Sequence, residues 1–218
     1  MIYLYNIIVY LSSILIFIGS FFSKKLNQLH NGRKKIKKYL KTIKITNEEK
    51  IWIHVSSVGE FEQAKSIIYQ FKKNLKLKIF VTFFSPSAEK VIKNFKLVDY
   101  SCYLPEDSKD KISYLYKKIN PKILLIIKYE FWYYLINEGK KMNVPIVSIS
   151  SIFRENQIYF NQFNFFSKIL KSITYFYVQN EKSRSLLNSI DITNVKVVGD
   201  TRFDRVYDIY KKSKNYPK

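Results

Sequence analysis

Two carboxylates in this chain sit where a strand pattern breaks. Ile51–Val55 is apolar and β-rich, Ser56-Ser57-Val58-Gly59-Glu60 interrupts it, and a helical pattern follows. Glu130 ends a second apolar run, Ile123–Ile127, within Lys128-Tyr129-Glu130-Phe131-Trp132. A carboxylate within hydrogen-bond reach of a hydroxyl can take its proton, and a second carboxyl or a cation can stabilise the charge that develops. Arg202, after Gly199, is placed for an anion contact. Ser56, Ser57, Ser85 and Ser87 offer hydroxyls for a sugar or phosphate.

Each residue also has a purely structural role open to it. Ser57-x-x-Glu60 is a capping box, in which Ser57 accepts from the Glu60 amide and Glu60 reaches back to Ser57. An acid at a helix start is also favoured by the dipole. From pattern alone this outweighs catalysis; Gly59 beside Glu60 is what would let a substrate approach closely. Glu130 could be a first-turn helix acid paired with Lys128, although an acid wedged among Tyr129, Phe131 and Trp132 should be perturbed by burial. Arg202 could pair with Asp200 or Asp204, and the serines could be turn and cap residues. His54 faces a sheet surface and is expected to be packed. No phosphate-binding loop, dinucleotide fingerprint or nucleophile elbow occurs.

These residues need a scaffold. Apolar runs recur at Ile51–Val55, Lys78–Phe83, Tyr100–Leu104, Ile123–Ile127, Ile146–Ile149, Thr174–Val178 and Val195–Val198. Helical patterns fall between most of them. Phe61, Ala64, Ile67, Ile68 and Phe71 share one helical face. Ser85-Pro86 is an N-cap and first-position pair, Asp107 is expected to cap the next helix, and Asn156–Leu170 and Asn180–Ile190 are expected to be helical. The alternation predicts an α/β fold, a Rossmann-like parallel sheet flanked by helices. In such sheets ligands bind beyond the carboxyl ends of the strands, so Glu60 and Glu130 should share one edge.

The first 22 residues carry no charge and approach the length of a bilayer-spanning helix. Lys24, Lys25, Arg33, Lys34, Lys35, Lys37, Lys38, Lys41 and Lys44 follow. Charge after the apolar run, with Phe21-Phe22 at its end, argues against a cleaved signal and for a membrane anchor with a cytoplasmic body. The expected organisation is an anchor helix over 1–22, a basic juxtamembrane segment over 23–46, a Rossmann-like acceptor-binding domain over 47–204 and the start of a linker over 205–218. Net charge is +21, which favours anionic partners; abundant Lys, Ile, Asn, Tyr and Phe make part of that excess compositional. The single cysteine, Cys102, excludes an internal disulfide and a cysteine-cluster zinc site. His30 and His54 form no recognisable metal pair.

The segments 52–61 (WIHVSSVGEF), 82–87 (TFFSPS), 103–107 (YLPED), 128–132 (KYEFW) and 198–204 (VGDTRFD), with Asn31-Gly32-Arg33, resemble the amino-terminal domain of 3-deoxy-D-manno-octulosonic acid (Kdo) transferases. The resemblance implies the first half of a GT-B glycosyltransferase on the cytoplasmic face of the bacterial inner membrane. Its reaction moves Kdo from CMP-Kdo to the lipid A precursor in lipopolysaccharide synthesis, with no cofactor beyond that donor. It implies Glu60 as the base, Glu130 as an assisting acid and Arg202 in place of the family's usual lysine. It also places Ser57, Gly59, Ser85, Ser87 and Lys128 near substrate, with Lys128 standing where many relatives carry an acid. GT-B enzymes hold the nucleotide in a second domain, so CMP-Kdo binding is expected to need a carboxy-terminal domain beyond these residues, and 1–218 alone is expected not to catalyse transfer. The runner-up is a non-catalytic, membrane-anchored module that binds an anionic lipid or sugar. A nucleic-acid-binding reading has charge on its side but no motif, and leaves the first 22 residues unused.

Overall fold

The computed structural model describes residues 1–43, 48–74, 77–160 and 164–200. Arg202 and the expected linker over 205–218 lie outside them.

The chain opens with a helical hairpin. α1 (Ile2–Gly19) is apolar on all sides and contributes no fully buried residue. Gly19 lets the chain turn: a Cβ there would stand 2.4 Å from Leu26 Cδ1. α2 (Lys24–Thr42) begins at Ser23, whose side chain accepts from the Leu26 amide. Leu29, Ile36 and Leu40 lie on one face of α2 and are buried in the core, while most of its lysines are exposed. The basic segment is therefore a helix packed into the domain.

The body then alternates: β1 (Lys50–Val55), α3 (Val58–Asn74), β2 (Lys78–Phe83), α4 (Pro86–Lys93), β3 (Tyr100–Tyr103), α5 (Lys109–Ile119), β4 (Pro121–Ile127), α6 (Tyr133–Lys141), β5 (Ile146–Ser151), α7 (Asn164–Leu170), β6 (Tyr175–Val178), α8 (Glu181–Asn188) and β7 (Val195–Val197). The strands match the sequence reading with ends shifted by a residue or two. All neighbours pair in parallel, in the order β3-β2-β1-β4-β5-β6-β7. Every residue of β1 is buried, as expected for a central strand covered on both faces. The chain winds outward from β1 to β3, then returns to lay β4 against the other side of β1. The strand order thus reverses between β1 and β4, and the carboxyl ends of those two strands flank the crevice.

Three local expectations fail. Asn156–Leu170 is not one helix: a 3₁₀ turn over Ile158–Phe160 precedes α7. Its aromatics serve tertiary packing instead, with Tyr159 and Phe160 against Phe153 and Phe165 stacked on Tyr133. Asp107 does not cap α5, whose N-cap is Ser108. Its carboxylate accepts instead from the Tyr134 and Leu135 amides, 2.7 and 2.9 Å away, at the start of α6. That helix has Trp132 at its N-cap, which offers no acceptor, so Asp107 satisfies its orphan donors from a distance. Glu130, finally, lies before α6 begins rather than in its first turn.

The Asp107 cluster also docks α1. The Tyr5 hydroxyl donates to Asp107 at 2.6 Å and accepts from the Tyr133 amide at 3.2 Å. Tyr5 also packs against Tyr133, Tyr134 and Phe165. At the other end of α1, Phe17 packs on His30. Both ends of α1 are therefore held to the body, while much of its apolar surface stays exposed.

Candidate functional site

Glu60 stands at the end of β1, in the first turn of α3, and is buried. Its Oε2 accepts from the backbone amide of Ser56. The expected reciprocal box with Ser57 is not formed. The Ser56 amide lies beyond the last paired residues of β1 and needs an acceptor, and Glu60 supplies it. The Ser57 carbonyl takes the first helical hydrogen bond, from Phe61 at 3.0 Å. Among the described residues, Glu60 Oε1 has no hydrogen-bond partner. One oxygen is anchored and the other is available.

Glu130 comes to the same place from β4. Its Oε2 accepts from Trp132 Nε1 at 2.9 Å, and the Ser56 side chain lies nearby. Burial, then the negative charge of Glu60, raise its pKa above the ordinary glutamate value; the Trp132 bond and the nearby Ser56 side chain oppose the rise. Ser56 thus stands between the two acids, holding Glu60 through its amide and favouring the charged form of Glu130. The sequence offered Ser56 only as one of several hydroxyls, because nothing in the pattern marks which strand-end amide lacks a partner.

The aromatics around Glu130 fix its segment. Phe131 is buried, stacked on Phe153 and edge-on to Phe176 and Tyr159. Trp132 stacks on Phe84, and the Arg33 guanidinium lies 5.1 Å from the far-reaching Phe84 ring's centre. Tyr159 is close enough to Glu130 that burial and that carboxylate push its phenol up to about 12.

The remaining expected residues divide. The Ser85 amide donates to the Ser56 carbonyl at 2.8 Å, which brings the end of β2 alongside. Ser85 and Ser87 hydroxyls share a hydrogen bond of 2.8 Å at the start of α4. Gly59 is exposed, and a Cβ there would meet nothing nearer than Ser57 Oγ at 3.9 Å. Space beside Glu60 is open. Lys128 adopts φ +65°, a strained backbone at the end of β4, and makes no ion pair with Glu130 among the described residues. His54 is fully buried; its Nδ1 contacts Thr82 Oγ1 at 2.9 Å, and burial lowers its pKa to about 4. It is a neutral packed residue, as expected. Gln63, one turn after Glu60, donates to Asp200 at 2.7 Å, so the segment leading to Arg202 arrives beside α3. Among the described residues, no three His, Cys, Asp or Glu side chains are placed to hold a metal.

Residues 29–205 match the family model described as 3-deoxy-D-manno-octulosonic-acid transferase (kdotransferase). A bifunctional glycosyltransferase/methyltransferase of Fusobacterium nucleatum subsp. nucleatum is 30% identical over 180 residues, covering 77% of this chain and 28% of that protein. The 3-deoxy-D-manno-octulosonic acid transferase of Rickettsia felis is 26% identical over 156 residues, covering 70% of this chain and 34% of the relative. The chain thus spans about a third of the length of these curated relatives. Among solved structures, the UDP-N-acetylglucosamine 2-epimerase of Rickettsia bellii superposes with a TM-score of 0.59 at 14% identity, over 78% of this chain and 50% of the epimerase. That likeness concerns the fold alone, one Rossmann-like half of a GT-B-type molecule.

Proposed function

The chain belongs to the 3-deoxy-D-manno-octulosonic-acid transferase family, and from that premise we propose that it is the acceptor-side half of an enzyme transferring Kdo from CMP-Kdo to the lipid A precursor. The observation that carries the reading is the meeting of Glu60 and Glu130 at the β1/β4 crevice, on either side of Ser56.

A sugar hydroxyl is a weak nucleophile at neutral pH. In this reading Glu60 Oε1 accepts its proton while Oε2 stays on the Ser56 amide, so the base does not swing. The acceptor oxygen bonds to the anomeric carbon of Kdo as the bond to CMP breaks. Glu130, whose pKa burial and Glu60 raise above the ordinary glutamate value, stands where charge develops. Arg202 meets the departing phosphate. Ser57, Ser85, Ser87 and Lys128 contact the acceptor, and the open space beside Gly59 admits it. The reading calls for no cofactor beyond the activated donor, whose nucleotide is held by residues other than these 218, and for no nucleic acid.

In this reading the half works at a membrane, on the cytoplasmic face of the bacterial inner membrane, where a lipid acceptor would be found, and the apolar α1 supports that reading. By length and composition α1 is the one described helix suited to cross a bilayer. Its contacts with the body at both ends favour a helix lying along the surface of the bilayer.

The base assignment is tested in an intact relative, the Rickettsia felis transferase. Glutamine in place of the glutamate matching Glu60 should lower the transfer rate by about 10²–10⁴-fold. A near-normal rate would remove Glu60 from the mechanism.

A further inference from the structure

A cavity lies away from the two carboxylates, between α2 and the start of α5. It encloses about 500 Å³. Arg33, Lys34, Lys37 and Lys111 line it, against the carboxylates Glu106 and Asp110, over an apolar floor that includes Ile36 and Leu40. The excess of basic groups is not neutralised within the fold. Glu106 is committed to Lys111 at 2.8 Å, and Lys34 and Lys37 have no ion pair among the described residues.

Arg33 is the informative residue. Its Nε donates to the Leu104 carbonyl at 3.1 Å, and its guanidinium lies over Phe84. These contacts fix the plane of the group but use only one of its five N–H donors. Among the described residues it makes no ion pair within 4 Å; burial lowers its pKa, and the nearby Glu106 opposes that. Its other donors stay open to an incoming anion, and a planar guanidinium already held in place loses little freedom in binding one. His30, which also lines the cavity, buries an Nε2 that has no hydrogen-bond partner among the described residues.

We propose that this cavity binds the phosphate of an anionic glycerophospholipid, with Arg33 as its central cation. Several features favour a lipid over a free anion. The floor is apolar, as an acyl-bearing ligand requires. Phe17 of α1 packs on His30, so the cavity adjoins the exposed apolar helix. Lys34 and Lys37, exposed on α2, stand where a headgroup would meet them. Guanidinium suits phosphate because its planar fork matches two phosphate oxygens at once. The proposal rests on α1 lying at a membrane, but not on the transfer reaction.

The test uses the 218-residue chain in a nonionic detergent, titrated calorimetrically with monomeric dihexanoyl phosphatidylglycerol, with dihexanoyl phosphatidylcholine and with inorganic phosphate. The two lipids share acyl chains, so micelle partitioning is common to both and their difference reports the headgroup. Phosphatidylglycerol should bind about tenfold more tightly than phosphatidylcholine. The double variant Lys34→Gln/Lys37→Gln, at exposed positions, should weaken it about fivefold. Arg33→Gln should weaken it about tenfold or more, with circular dichroism to verify that the variant folds. Equal binding of the two lipids, or a double variant that binds like the parent, overturns the proposal. Inorganic phosphate binding as tightly as the lipid overturns the lipid assignment. Flotation with phosphatidylglycerol vesicles separately tests whether α1 takes the protein to a membrane, so failure there is distinguishable from failure of the cavity.

Discussion

Asp107 should make this protein more stable in mild acid than a variant without it. The carboxylate accepts three hydrogen bonds, from Tyr5, Tyr134 and Leu135, yet burial outweighs them and raises its pKa from 3.8 to about 6. A carboxyl with a raised folded pKa contributes stability that is fully present below its unfolded value and is lost as pH rises through its folded value. With those two values, single-site linkage makes the fold about 2 kcal/mol more stable at pH 4 than at pH 7 on account of this group. The phenols facing it, Tyr5 and Tyr116, are neutral throughout that range. Glu89, Asp99 and Glu106 have lowered pKa values and pull the other way, but they are common to parent and variant. Urea unfolding of the parent and of Asp107→Asn, at several pH values between 4 and 7 in the same detergent, isolates the term. The parent's stability relative to the variant should grow by about 2 kcal/mol as pH falls across that range. The slope carries the test rather than the offset, because asparagine also loses one acceptor. Parallel profiles, or a gap that narrows in acid, would refute the argument.

Glu60→Gln should lower the pKa of Glu130 by removing the charge that helps raise it, and carbon NMR of the labelled carboxyl would show the titration moving to lower pH. Trp132→Phe should shift the same titration upward, because the indole bond favours the charged form. Gly139→Ala is expected to destabilise by about 1–3 kcal/mol in urea unfolding, since its Cβ would fall 2.3 Å from the Tyr116 hydroxyl. Gly59→Ala should leave stability within about 1 kcal/mol of the parent, helix propensity favouring alanine; the matching change in an intact relative should still slow transfer by crowding the open space.

The strands were legible because a sheet covered on both faces must be built from continuous apolar runs, and each run ended in a polar cluster. The placement of Glu60 and Glu130 on one edge followed from strand direction alone. Their adjacency did not, because it depends on β4 returning to the flank of β1, a long-range choice that periodicity does not encode. Asp107 shows the same limit on a smaller scale. Its position before a helix suggested a local cap, but the helix that needed an acceptor was the next one along. The Asn156–Leu170 stretch misled because its rings are spaced for contacts with Phe153 and Tyr133, and spacing for tertiary contacts mimics a helical stripe. Arg33 drew notice as a motif residue, but its incomplete pairing could be seen only with Glu106 and Lys111 in place.

The docking of α1 also sets an order of events during synthesis. Tyr5 closes its hydrogen bonds with residues 102 and 128 positions further on, so the amino-terminal end of α1 has no seat on the body until α6 has been made. At roughly 5–20 residues per second, that end of an apolar helix spends many seconds emerged and unseated. In that interval a lipid surface is the available place to bury it. The late arrival of the Tyr5 end's protein partner therefore gives the membrane the first opportunity to bind that end of α1, before the crevice that holds Glu60 and Glu130 is complete.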